Sequence, residues 1–158
     1  MTWERGRTRI EELLASGELE QVEPNDEHAN RLLAEAAAHL EAVDRVVDVD
    51  AAGALQLAYD AARKAAVALL ALQGLRSTTK GGHIAVQDAV VAQFGGSAGM
   101  KAFARLGLMR RQRHAAEYPT ESTPPVTRRD ADTVAADARA VVNAAESLLN
   151  SGRLDRFQ

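Results

Sequence analysis

Apolar residues recur every three to four positions through most of this chain, and Gly, Pro and Asn mark the breaks between those runs. That spacing predicts amphipathic helices. Trp3, Ile10 and Leu14 align on one face of a first helix, about Trp3–Ala15, which Ser16 and Gly17 stop. A polar connector, Glu18–Pro24, leads to Asn25, which suits an N-cap because Asp26 and Glu27 follow in the first turn. The second helix carries the stripe Ala29, Leu32, Leu33, Ala36, Leu40, Val43 and Val47. Its outward face is acidic, with Glu35, Glu41, Asp44 and Asp48. Asp48–Gly53 turns the chain into a third helix, about Ala51–Gln73, buried along Leu55, Ala58, Ala62, Ala66, Leu69 and Leu70.

Gly74 fits the C-cap of that helix, and Ser77–Gly82 forms a turn. His83–Phe94 is a shorter helix with Ile84, Val86, Val90 and Val91 as its apolar positions. Gly95, Gly96 and Gly99 interrupt the chain before the next helix, about Ala98–Glu117. Pro119 ends it, because the residue before a proline is pushed out of the helical region. Pro124 and Pro125 stiffen the following loop. Thr127 with Asp130 then resembles a capping box for the last helix, about Arg128–Asn150.

Connections this short make successive helices antiparallel neighbours, so the expected fold is all-α, an up-and-down bundle of about five helices. The division expected is an N-terminal helix and connector over 1–24, the bundle over 25–150, and a C-terminal tail over 151–158, frayed over Arg153–Gln158. Composition agrees. Hydrophobic residues make up 46% of the 158 positions but aromatics only 4%, so Ala, Leu and Val must form the core. Cysteine is absent, which excludes disulfides and thiolate metal sites. With no apolar run of membrane-spanning length and a charged N-terminal stretch, the expected address is cytoplasmic and no membrane partner is implied.

Charge changes this picture at one place. The stretch Arg105–Tyr118, RLGLMRRQRHAAEY, holds four arginines and no acid before Glu117, in a chain of formal net charge −3. A basic cluster on an acidic background attracts phosphate. Arg110, Arg113, His114 and Glu117 fall on one helical face. Arg113 and Glu117, four apart, can pair, and Arg110, Arg111 and Arg113 are the candidate phosphate ligands. His114 is the local group able to exchange protons near neutral pH. Tyr118 stands where the helix breaks and needs a local irregularity to reach Arg113.

A helical bundle with an arginine near a helix end and a His or polar aromatic four to six residues later resembles the HEPN family (higher eukaryotes and prokaryotes nucleotide-binding). The stretch Tyr59–Val90, YDAARKAAVALLALQGLRSTTKGGHIAVQDAV, resembles the helical core of small actinobacterial members, and the likeness covers about residues 26–150. The resemblance implies a metal-independent ribonuclease site in which arginine stabilises the scissile phosphate and histidine moves protons. No cofactor is implied. In this chain the arginine is Arg113, His114 takes the following polar position, and Tyr118 stands at the place of the histidine. Either His114 substitutes from a shifted position, or the site binds without cutting.

The resemblance further implies RNA or a nucleotide as ligand, a homodimer with two motif copies in one cleft, and a toxin–antitoxin or defence-type role. A nucleotidyltransferase is the implied companion, with Tyr118 as the local candidate for modification. A plain helical adaptor with decorative arginines is the competing reading. Asp60, grouped with Tyr59, Arg63 and Lys64, is a candidate to orient a motif arginine across the bundle. Lys80-Gly81-Gly82-His83 is glycine-rich before a helix, but it lacks the GxxxxGK[ST] pattern, and His83 reads as a helix-start residue. Histidines 28, 39, 83 and 114 have no paired metal-ligand spacing.

Overall fold

The helices begin and end where side chains close their open backbone groups. The computed structural model describes residues 5–96 and 101–158. The chain opens with α1 (Arg7–Ala15) and β1 (Leu19–Gln21), then the long α2 (Asp26–Val46) and α3 (Ala51–Gln73). The Asn25 side chain accepts the His28 amide at 2.8 Å, and Asp50 accepts the Gly53 amide at 2.8 Å, so both long helices are capped. Gly74 ends α3 in the left-handed region at φ 75°. Its neighbours leave no room for more, since a Cβ there would stand 2.7 Å from the Val22 carbonyl oxygen.

The second half comprises β2 (Leu75–Ser77), α4 (Gly82–Phe94), a 3-10 turn (Lys101–Arg105), α5 (Leu106–Glu117) and α6 (Arg128–Asn150). Thr127 and Asp130 form the expected capping box on α6. α3 is the hub. It packs along α2 on one side and α6 on the other, with α4 and α5 closing the remaining face. Every residue of its expected line, from Leu55 to Leu70, is buried. The fold is thus all-α, and among the described residues no helix is long and apolar enough to cross a membrane.

Three local expectations change. The Glu18–Pro24 connector and the start of the 75–82 turn are not wholly irregular, because Leu19–Gln21 pairs antiparallel with Leu75–Ser77. The helix expected from Ala98 begins as a 3-10 turn at Lys101 and becomes α-helical at Leu106; residues 97–100, including Gly99, lie outside the described residues, as does Trp3. The tail is irregular but not frayed. Phe157 is buried, its amide donates to the Gln73 carbonyl at 2.8 Å, and its own carbonyl accepts from the Gln21 side chain at 2.8 Å. The Arg7 guanidinium lies 5.2 Å over the Phe157 ring.

Candidate functional site

α5 reaches α4 closely because of a glycine. A Cβ on buried Gly107 would stand 2.9 Å from the Gln87 amide nitrogen, so the glycine leaves room for that side chain against α5. One turn further, Arg110 Nε donates to Gln87 Oε1 at 3.3 Å. Arg113, the next residue on that face, forms an ion pair with Glu117, and both are half-buried. The i,i+4 pairing expected from the sequence therefore holds the Arg113 guanidinium in one orientation.

The four arginines of the stretch divide by position. Arg105 Nε is committed to Asp137 of α6 at 2.9 Å, outside the site, and Arg111 faces solvent. Arg110 reaches Gln87 of α4, and Arg113 lines a groove with Leu57 and Asp60 of α3. On α3, Arg63 is bound to Asp60 at 3.0 and 3.2 Å. Asp60 thus takes an arginine within its own helix, not one across the bundle, because a partner three residues away on α3 competes at lower entropic cost. It still shares a surface with the motif, since Asp60 and Arg113 both line an open groove of about 560 Å³ with Val46, Val49 and Leu57. Beyond Asp60, Lys64 Nζ donates to Glu35 at 2.8 Å and lies 2.9 Å from His39 Nε2. Lys64 and Arg31 hold the Glu35 carboxyl below its ordinary value.

His114 and Tyr118 sit apart from this cluster. Their rings are 5.1 Å between centroids and tilted by 48°, and Tyr118 is 60% exposed. Tyr118 leaves the helix at φ −122°, ψ 64°, yet this irregularity turns its ring to His114.

His83, read from the sequence only as a helix-start residue, has a larger place in the structure. It stands in the first turn of α4, with Nδ1 3.4 Å from the hydroxyl of buried Tyr59. Partial burial, then the charges of Arg63 and Arg113, hold its imidazole below the ordinary value; Arg110 adds to this and Asp60 opposes it. Burial pushes the Tyr59 phenol up, against the pull of Arg63, Arg110 and Arg113. His83, Tyr59 and the three arginines therefore share one electrostatic environment. The adjoining glycines do not form an anion nest, because Thr78 already accepts the Gly82 amide at 2.9 Å through its carbonyl and the Gly81 amide at 3.3 Å through its hydroxyl.

No curated protein and no solved structure matches the chain. The family model described as HEPN domain matches residues 26–148, from the first residue of α2 nearly to the end of α6. That span holds the capped long helices, His83 and the whole arginine stretch, and on it the chain belongs to the HEPN family.

Proposed function

We propose that this HEPN protein binds RNA or a nucleotide by its phosphate groups at the face where α3, α4 and α5 meet. Arg113 and Arg110 form the clamp, Arg111 extends it toward solvent, Glu117 orients Arg113, and Asp60 steadies Arg63. The observation that carries this reading is the grouping of the arginines around one contact between helices: the Tyr59 hydroxyl lies 3.4 Å from His83, Arg63 follows one turn after Tyr59, Arg110 bonds Gln87 one turn after His83, and Arg113 lines a groove with Asp60. Planar guanidinium forks in a partly shielded site favour phosphate oxygens over water. The groove running away from Arg113 has apolar walls at Val46, Val49 and Leu57, which suit the flat face of a base.

In this reading the protein works as a homodimer in a toxin–antitoxin or defence-type system, with a nucleotidyltransferase as companion. The exposed Tyr118 hydroxyl is open to modification by that partner. A second reading, a metal-independent endoribonuclease using Arg113 with His114 or Tyr118, draws on the contact of those two rings with each other at the end of α5. Incubation of labelled total RNA with the purified protein in EDTA tests both. Retarded but intact RNA is the expected result. Cleaved RNA favours the nuclease, and RNA that is neither retarded nor cleaved overturns the binding reading.

A further inference from the structure

His83 is placed with unusual firmness for an exposed residue. The turn before it packs tightly on the residue preceding β1: the Thr78 amide donates to the Glu18 carbonyl at 3.1 Å, and a Cβ on Gly81 would stand 2.1 Å from that same oxygen. From the other side Tyr59, buried in α3, presents its hydroxyl to Nδ1 at 3.4 Å, with the two rings 6.0 Å apart and tilted by 43°. A hydroxyl serves either protonation state of the ring, because it donates to a bare nitrogen or accepts from a protonated one.

The charged groups facing His83 come from two other helices. α3 supplies Arg63 and Asp60, and α5 supplies Arg110 and Arg113; Gln87, one turn along α4, is neutral. Three cations against one anion disfavour a further positive charge on the ring. A bound phosphate reverses that balance, since it brings negative charge into the midst of the three guanidiniums. Ligand and proton then favour each other, as linked equilibria require.

We propose that His83 is a wall of the phosphate site and takes up a proton when a phosphodiester binds between Arg110 and Arg113, with Tyr59 holding its ring. This rests on the phosphate-binding reading above. It makes a residue about thirty positions before the arginine motif, rather than His114 or Tyr118, the proton-exchanging member of the site. The sign follows directly. In the free protein the imidazole titrates below its ordinary value of 6.5, and in the complex it titrates higher. Affinity therefore rises as pH falls through the value of the complex and levels off below the value of the free protein.

The test is a histidine NMR titration of the wild-type protein, with and without a short 2′-O-methyl oligonucleotide. Its phosphodiesters do not titrate near neutral pH, and it cannot be cleaved through the blocked 2′ position. The His83 titration is expected to move up by about one pH unit on saturation, equivalent to roughly tenfold tighter binding at low pH than at high pH. The His83→Gln variant, which assigns the resonance and removes an exposed side chain, is expected to bind with a flatter pH profile. If the oligonucleotide binds and Arg113→Ala weakens it, but His83 does not move and His83→Gln keeps the pH dependence, the His83 inference falls while the phosphate site stands. If the oligonucleotide does not bind, or binds equally to Arg113→Ala, the phosphate reading falls and the inference with it.

Discussion

Arg113→Ala is expected to weaken RNA binding by about 10- to 100-fold, and to lower the unfolding midpoint as well, because it strands the Glu117 carboxylate. A charge-assisted hydrogen-bonded contact to phosphate contributes about 1.5–3 kcal/mol, which sets that range. The loss has a second component. Glu117 Oε2 is buried and ion-paired to Arg113, so removing the guanidinium leaves a carboxylate facing the incoming phosphate. The double variant Arg113→Ala/Glu117→Ala is therefore expected to bind better than Arg113→Ala alone. Arg153→Ala, an exposed site beyond the end of α6, is the charge-matched control. Fluorescence anisotropy at one fixed salt concentration measures all three, since phosphate binding depends steeply on salt. Equal affinities for Arg113→Ala and Arg153→Ala would reduce the arginine to one surface charge among others.

Phe94→Ala should cost about 3–5 kcal/mol, the range for deleting a buried aromatic ring. Phe94 is fully buried at the end of α4, and its ring lies 5.7 Å from that of Phe103 in the 3-10 turn. This pair joins α4, which carries His83, to the 3-10 turn that leads directly into α5 and its arginines. Losing it takes a large part of the roughly 5–15 kcal/mol that a domain typically possesses. The urea midpoint should fall steeply, and RNA binding should fall with it as α4 and α5 lose their register. A midpoint close to wild type would mean that α5 is held by α3 alone.

The long helices were legible because their sequences carry complete apolar stripes and unambiguous caps at Asn25, Gly74 and Thr127. The strand pair was not. Leu-Glu-Gln and Leu-Arg-Ser are too short to alternate, and they pair only because α1 and α3 bring their ends together. Phe157 gave no signal either. One aromatic in a polar tail is pinned by the Gln73 carbonyl, a contact across about half of the chain.

The site divides in the same way. Arg113–Glu117 is an i,i+4 pair and could be read from spacing, whereas Asp60 had two possible arginine partners and took the local one. The grouping around His83 has no local trace, because it depends on contacts between helices, Tyr59 of α3 with His83 and Arg110 of α5 with Gln87. A lone histidine at a helix start reads the same with or without three arginines folded onto it.

The central claim is that phosphate binds where α3, α4 and α5 meet. Amide and side-chain chemical-shift mapping of the labelled protein with the 2′-O-methyl oligonucleotide tests it most directly. The expected result is a contiguous set of shifts centred on Tyr59, Arg63, His83, Arg110 and Arg113. Shifts centred instead on the separate pocket beside β2, at Val22, His28, Leu75 and Arg76, with the arginine face silent, would contradict it.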